Sequence, residues 1–274
     1  GLGDVYKRQA WAEISWGIVE AFVRWQVEQS YALASINRAI STVKVYAGLA
    51  FKAQALNDTG YQLIKAVKGY QGKEGRNLDA QRAQTRRGDK KAQPTPLNRD
   101  QADALKDQPD TPQGRRDALL LCLLLDHGLR VGEVAELPAT ALDVRRGMLN
   151  FYRSKVDITQ AHKLTADTLR AAVAYLASDA PASGALIRGS RKNGQLAGQM
   201  STRAIRERVS LLGAAIGVDN LSPHDLRHYW ATTAARSGTH PFALQEAGGW
   251  SSLEMPRRYT ARAKIANEGV KLDS

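Results

Sequence analysis

One short stretch of the sequence indicates both the fold and the chemistry: Pro223-His224-Asp225-Leu226-Arg227-His228. His224 and Arg227 are three residues apart, so on a helix they share one face. A guanidinium group offers a planar fork of donors that fits phosphate oxygens, and an imidazole can donate or pass on a proton near neutral pH. This stretch therefore predicts one helical wall of a site for phosphoryl transfer.

Two further groups of the right chemistry lie far away along the chain. Tyr259 supplies a hydroxyl that can act as a nucleophile, and Arg130 supplies a second guanidinium within Gly128-Leu129-Arg130-Val131-Gly132-Glu133. Taken singly, Arg130 is an ordinary surface arginine and Tyr259 an ordinary amphipathic aromatic. Together with residues 223–228 they predict one site that acts on the phosphates of DNA.

The composition agrees with a polyanionic partner. The 274 residues carry a formal net charge of +12, which favours nucleic acid over membrane, although an ordinary basic protein remains an alternative. The single cysteine, Cys122, lies in an apolar run, so it is expected to pack in a core and to indicate a reducing compartment. Neither a disulfide framework nor a zinc cluster is expected, and no signal peptide or transmembrane segment is recognisable.

The N-terminal end requires separate treatment. Residues 1–9, Gly1 to Gln9, resemble a translated sequencing adapter. They are expected to be a non-native leader that takes no part in the fold, and the native N-terminus is expected to be missing.

Residues 10–85 are predicted to form a small helical domain. Helices are expected from Trp11 to Ser30, with Ile14, Ile18, Phe22 and Trp25 in the apolar stripe, from about Ser35 to Leu56 with Ser35 as cap, and near Tyr61 to Tyr70. The tryptophans expected in a core are Trp11, Trp16, Trp25 and Trp230. Basic side chains outside the stripes, and others in a linker over 86–96, are predicted to contact DNA: Arg38, Lys44, Lys52, Arg86, Arg87 and Lys90. For each helix side chain taken singly a solvated face is the better interpretation, and for the linker a soluble tether is about equally compatible with the composition.

Residues 97–274 are predicted to form a second domain. Its first helix is expected around Asp100 to Lys106, with Asn98 or Thr95 as cap, and a strongly apolar helix from Arg115 to Asp126 follows. From Ala141 to Leu164 the pattern changes to three short strands, Leu142–Val144, Met148–Tyr152 and His162–Leu164, with Lys155 in a turn. Helices then resume around a loop-rich stretch at 178–203. The predicted fold class is mainly α (α+β), with a small antiparallel β-sheet.

At this point the chain resembles a tyrosine recombinase of the phage integrase family. The resemblance is carried, in family order and spacing, by residues 128–133, Lys155, residues 224–228, Gly248-Gly249-Trp250-Ser251-Ser252 and Arg258-Tyr259. It implies that 10–85 is a core-binding (SAM-like) domain and that 97–274 is the catalytic domain. Any one of these motifs is a weak signal, whereas five in order are specific.

The resemblance also implies a role for each residue. Tyr259 would attack a DNA phosphodiester and form a 3′-phosphotyrosyl link, while Arg130 and Arg227 would stabilise the charge that develops on the phosphate oxygens. His224 would bond a phosphate oxygen or assist proton transfer, and Lys155 would protonate the departing 5′-oxygen. Trp250 stands where many relatives have a second histidine, and its indole N–H can donate but cannot titrate. Glu133 is predicted to orient Arg130, and His228 is expected to support the site from the core.

The expected partner is double-stranded DNA. The resemblance implies a homotetramer on DNA, with a Holliday-junction intermediate, and a monomer when free. No cofactor and no metal are expected, and neither is a membrane; the expected location is the cytoplasm, in association with the nucleoid. Two alternatives stay open: a topoisomerase-like enzyme with the same chemistry, and a DNA-binding relative without catalysis.

One residue departs from the expected pattern. Pro256 lies three residues before Tyr259, where a helix is expected. If that helix began at Ser251, with Glu254 completing a capping box, Pro256 would remove a backbone hydrogen bond and bend the helix next to the nucleophile.

Overall fold

The computed structural model describes residues 11, 13–81, 94–179, 183–191 and 193–261. The chain divides into two compact units, residues 1–93 and 94–274. Both units are mainly helical, and the strands form only small antiparallel sheets. The predicted fold class is confirmed.

The described part of the first unit is helical. Its helices are α1 (Trp16–Glu28), α2 (Leu33–Lys52), α3 (Asp58–Ala66) and α4 (Gly72–Ala80). Side-chain oxygens of Ser15 and Asn57 cap α1 and α3 by accepting from backbone N–H groups. The core is formed by branched residues that face one another across these helices: Val19, Val23, Ile36, Ile40, Ile64 and Val67.

Three of the four residues predicted for the apolar stripe of the first helix were wrong, whereas Ile14, which precedes α1, packs partly buried against the core. Ile18, Phe22 and Trp25 are exposed, with Trp25 at 47%, and Trp16 also lies at the surface. The core side of α1 is formed instead by Val19, Val23 and Gln26. This helix carries two overlapping apolar stripes one residue apart, and periodicity cannot decide which of them meets α2.

The predicted cap of the second helix was wrong, although the helix begins within two residues of the expected Ser35. The helix α2 begins at Leu33 behind Ala32, which adopts the extended backbone of a cap but offers no side-chain acceptor. A cap of this kind leaves no mark in the sequence, so Ser35 was the nearest recognisable candidate.

The second unit contains eight described helices, one 3₁₀ turn and five strands. In chain order they are α5 (Arg99–Lys106), α6 (Pro112–Leu125), α7 (Val131–Glu136), the 3₁₀ turn Ala139–Ala141, β1 (Leu142–Asp143), β2 (Met148–Arg153), β3 (Ile158–Lys163), α8 (Ala166–Ser178), β4 (Arg188–Ser190), β5 (Leu196–Gln199), α9 (Thr202–Ala215), α10 (Pro223–Arg236), α11 (Pro241–Gly248) and α12 (Glu254–Ala261).

The helix α6 forms the centre of this unit. Every residue from Leu119 to Leu125 is buried, including Cys122, as the apolar run predicts. The core extends from α6 to α8, to the inner face of β2 and to α9. Burial of this kind stabilises a chain by roughly 25 cal/mol for each Å² of apolar surface removed from water.

The three-stranded sheet has the order β1-β2-β3 and is antiparallel throughout. The β2–β3 hairpin pairs Met148 with Lys163 and Arg153 with Ile158, and its four-residue turn contains Lys155. The third strand therefore begins earlier than the predicted His162. The separate β4–β5 hairpin lies in the stretch that was predicted as loop. It was not predicted because its strands are too short for an alternating pattern to be recognised.

Within the described residues, no helix is both long enough and apolar enough to cross a lipid bilayer. The same residues contain no group of three or more His, Cys, Asp or Glu side chains arranged to hold a metal ion.

Candidate active site

Arg130 is fixed at the start of α7 by the helix that it precedes. The Glu133 carboxylate accepts from the Arg130 backbone N–H at 2.7 Å and from its guanidinium Nη1 at 2.7 Å. The other terminal nitrogen, Nη2, donates to the carbonyl of Gly249 at 2.7 Å. The side chain keeps 23% of its surface exposed, so it is both oriented and accessible.

Arg227 lies almost entirely buried on α10. Its Nη2 donates to the carbonyl of Gly248 at 2.5 Å, and its Nη1 donates to the carbonyl of Gly128. Gly128 has a left-handed backbone, with φ of 59°, and a Cβ there would lie 2.2 Å from the ring of Trp230. Only glycine therefore fits the turn that presents this carbonyl to Arg227.

The two arginines converge on one place. Their guanidinium groups donate to the carbonyls of adjacent residues, Gly248 and Gly249, at the C-terminal end of α11. Burial, together with the like charge of Arg130, lowers the pKa of Arg227 to about 9. Cations held this close favour an anion between or beside them, and a phosphodiester is such an anion.

An aromatic group adjoins the arginines. The Trp250 ring lies 4.7 Å from the Arg227 guanidinium and 5.8 Å from the ring of Tyr259. The His228 ring meets Tyr259 edge-on at 5.1 Å. Tyr259 is 5% exposed and packs with Ala231, Ala235 and Leu244. The structure thus brings Arg227, His228, Trp250 and Tyr259 together.

His224 and Lys155 occupy exposed positions. His224 lies in the first turn of α10, one helical turn before Arg227. Lys155 lies in the β2–β3 turn and lines a cleft of about 640 Å³ together with Gly249 and Trp250. Lys155 therefore shares one cleft with Trp250 of the aromatic group.

The helix that carries Tyr259 begins later than Ser251. It runs from Glu254 to Ala261, so Pro256 is its third residue. In the first turn the backbone N–H that proline lacks would have no intrahelical acceptor, and Pro256 therefore does not interrupt the helix before Tyr259.

The predicted DNA contacts are only partly described. Arg38 and Lys52 are exposed on α2, and Lys44 is half-buried there. Arg86, Arg87 and Lys90 lie outside the described residues, as does most of the predicted linker.

Sequence reasoning missed Arg153, the last residue of β2. Its side chain is fully buried, and its Nη1 donates to both oxygens of Glu133, at 2.9 and 3.0 Å. The alternation of β2 was the available signal, because Leu149, Phe151 and Arg153 share the buried face of the strand. An arginine at a core position of a strand is unusual enough to indicate a partner of opposite charge.

Comparison with known proteins assigns the family. The family model described as the phage integrase family matches residues 96–265, which is more than half of the chain. The chain therefore belongs to the phage integrase family, and by that membership it is a tyrosine recombinase, an enzyme of the site-specific recombinase class.

Several relatives carry names of the same kind. The tyrosine recombinase XerD of Xanthomonas axonopodis pv. citri (strain 306) is 28% identical over 258 residues, which cover 89% of this chain and 76% of XerD. The type 1 fimbriae regulatory protein FimE of Escherichia coli (strain K12) is 30% identical over 152 residues, which cover 54% of this chain and 75% of FimE.

Solved structures share the fold. The Tn1549 transposon integrase, in complex with a circular intermediate DNA, matches with a TM-score of 0.64 and 14% identity, over 92% of this chain and 85% of the integrase. The XerH site-specific recombinase, in a post-cleavage complex with a palindromic difH substrate, matches with a TM-score of 0.63 and 18% identity, over 92% of this chain and 70% of XerH.

Proposed function

We propose that this recombinase cuts and rejoins double-stranded DNA through a covalent 3′-phosphotyrosyl intermediate formed on Tyr259. One observation carries the proposal: Arg130 and Arg227 donate to adjacent carbonyls at the end of α11, and Arg227 lies 4.7 Å from the ring of Trp250, which packs on Tyr259. A pair of forked cations next to a phenol is suited to phosphoryl transfer onto that phenol.

The reaction exchanges one phosphoester bond for another. The Tyr259 oxygen bonds to the scissile phosphorus, its proton passes to His224, and the bond from phosphorus to the 5′-oxygen breaks. Lys155 supplies a proton to the departing 5′-oxygen, so that a 5′-hydroxyl is released. Attack of a 5′-hydroxyl on the phosphotyrosine reverses these steps and reseals the strand without an added energy source.

The remaining groups bind the phosphate. Arg130 and Arg227 stabilise the charge on its non-bridging oxygens, and Glu133 keeps Arg130 in place. Trp250 donates through its indole N–H but cannot exchange a proton, so proton transfer at Tyr259 is assigned to His224. His228 supports the Tyr259 ring from the side, at 5.1 Å between ring centroids.

The assembly follows from the same assignment. Residues 10–85 and 97–274 act as the core-binding and catalytic domains, joined by the linker 86–96, and both contact duplex DNA. Four copies join two DNA sites, and the free protein is a monomer. The net charge of +12 supports binding to DNA, and the Tn1549 integrase and XerH are themselves described with DNA.

The first test is covalent trapping on nicked duplex DNA. The wild-type protein should form an adduct that survives denaturant and is lost on protease digestion. Tyr259→Phe should remove the adduct and leave the affinity for the duplex within about threefold, because only the nucleophilic oxygen is lost.

Tyr229→Phe is the matched control, since Tyr229 is a partly buried tyrosine of α10 that packs against the main core of the same unit. An adduct that persisted in Tyr259→Phe would contradict the assignment. Binding without any wild-type adduct would favour a non-catalytic DNA-binding protein, and relaxation of supercoiled plasmid without a specific site would favour a topoisomerase.

A further inference from the structure

Arg153 carries a charge in the core of the second unit, where burial of a charge is unfavourable. The side chain is fully buried, and burial lowers its pKa. It lies over the ring of Phe151 at 4.7 Å and shares the Glu133 carboxylate with Arg130. Because an unpaired cation in a core is strongly unfavourable, its partners must offset the cost of its burial.

Those partners lie at the C-terminal end of α11. Four successive carbonyls there accept from side chains: Glu246 from Gln160 at 2.8 Å, Ala247 from Arg153 at 2.7 Å, Gly248 from Arg227 at 2.5 Å, and Gly249 from Arg130 at 2.7 Å. Carbonyls in the last turn of a helix have few or no intrahelical donors and carry the negative end of the helix dipole. The α11 end therefore acts as a shared acceptor for three arginines.

Arg153 connects this end to the rest of the site. Its Nη2 holds the Ala247 carbonyl, its Nη1 holds Glu133, and its Nε donates to Gln160, which in turn donates to the Glu246 carbonyl. A guanidinium group can make these three contacts in different directions at once, whereas an ammonium group is a single point charge.

Gly249 shows how closely Arg153 approaches the backbone. The residue is left-handed, with φ of 57°, and a Cβ there would lie 2.6 Å from Arg153 Cδ. Gly249 also supplies the carbonyl that Arg130 uses and directly precedes Trp250. A displacement of Arg153 would therefore move the segment 248–250, which bonds Arg130 and Arg227 and contains Trp250.

We propose that Arg153 is a positioning residue of the recombinase. It would hold the end of α11 so that Arg130, Arg227 and Trp250 face one phosphate, without touching the DNA itself. The inference rests on the proposed function for its effect on catalysis, but the structural role can be measured separately.

The catalytic test compares buried arginines. Arg153→Met and Arg153→Lys are each examined in the full chain, with Arg116→Met as the matched control. Arg116 is equally buried, but it bonds Asp117 and the carbonyl of Arg188. The rate of adduct formation on nicked duplex is measured at saturating protein and normalised to the folded fraction.

Displacement of a catalytic group by about 1 Å can cost on the order of 100-fold in rate, so both Arg153 variants should form adduct at least about tenfold more slowly. Their affinity for DNA should stay within about threefold of wild type, and Arg116→Met should keep its rate within about threefold despite a comparable loss of thermal stability. Rates for Arg153→Lys and Arg153→Met near the wild-type value, or an equal loss in Arg116→Met, would overturn the proposal.

The second measurement does not need activity. Backbone amide hydrogen exchange is followed in a peptide that contains residues 244–252, where the Gly249 and Trp250 amides donate to Glu246 and Gln245. Exchange there should accelerate in Arg153→Met and stay unchanged in Arg116→Met. Unchanged exchange in Arg153→Met would refute the positioning role, whereas the absence of any wild-type adduct would refute only the proposed function.

Discussion

In the proposed mechanism, Trp250 supplies a hydrogen-bond donor that cannot change its protonation state. Its ring also packs on Tyr259 and on the Arg227 guanidinium, so donation and packing are two separable contributions of the same side chain. Packing alone remains the alternative explanation for a tryptophan at this position.

The two contributions separate in Trp250→Phe. Phenylalanine keeps the aromatic contact with Tyr259 but removes the indole N–H. Loss of one donor to a developing negative charge costs roughly 100-fold to 1000-fold, so we expect adduct formation to slow by about that factor. Affinity for nicked duplex, measured in parallel, should stay close to wild type.

The control for this change is Trp230→Phe. The Trp230 ring lies 6.0 Å from Trp250 and 5.9 Å from Arg227, so this variant makes a similar change in packing next to the same arginine. We expect its rate of adduct formation to change by only about threefold. Similar slowing in the two variants would show that Trp250 acts through packing.

At the scale of single residues, motif spacing predicted several residues of the candidate site but not the buried arginine that supports them. Arg227, Trp250 and Tyr259 were found from short motifs, and the structure brings them together. Arg153 was not found, because its partners lie 20 residues away in α7 and about 94 residues away in α11. A single sequence does not show which distant carbonyls a buried arginine will meet.

At the scale of elements, β3 contributes a half-buried histidine, His162, whose Nε2 atom lies in the interior. The His162 ring meets Phe151 edge-on at 5.0 Å and stacks near His127 at 5.7 Å. Among the described residues, no hydrogen-bond partner lies within reach of His162 Nε2. Burial lowers the pKa of both histidines to about 4.

These lowered pKa values predict sensitivity to acid. Between pH 6.5 and about 4 the unfolded chain binds protons at His127 and His162 while the folded chain does not, so stability falls as the pH falls through that range. Each histidine should cost on the order of 1–2 kcal/mol at pH 5. His162→Phe removes one of these titratable groups and keeps an aromatic ring in its place.

We therefore expect a smaller decrease in Tm between pH 7 and pH 5 for His162→Phe than for wild type, measured by thermal unfolding. The control is His240→Asn, which changes an exposed histidine at the start of α11 and keeps a side chain that can cap the helix. The explanation fails if His162→Phe and wild type lose the same Tm over this range.

The accuracy with which helix boundaries were predicted depended on whether the capping residue can be recognised in the sequence. Asn98 and Gln101 form a capping box at α5, and Thr165 caps α8, so these starts are marked by residue type. Ala32 before α2 carries no such mark. The two stripes of α1 show the same limit for packing, because the choice between Val23 and Trp25 is made by the partner helix.

At the scale of the whole molecule, the net charge follows directly from the sequence, whereas the positions of the unpaired charged side chains do not. The chain carries a formal net charge of +12, yet many of its cations are already paired, as Arg203 is with Glu207 at 2.7 Å and Arg208 with Asp117 at 2.5 Å. Net charge therefore predicts that DNA binding weakens with salt, but not which side chains contact phosphate.

Arg38→Gln tests one predicted contact through its salt dependence. If the exposed Arg38 side chain neutralises a phosphate, its loss releases about one counterion fewer on binding, and the slope of log affinity against log salt concentration should decrease by about 1. The loss of affinity should be nearly the same for unrelated duplex sequences, because a phosphate contact carries no base information.

The control, Arg24→Gln, removes the same charge from an exposed position on α1 that was not predicted to contact DNA. Equal changes of slope in the two variants would mean that the first unit acts through its overall charge, and Arg38 would then lose its place among the contacts.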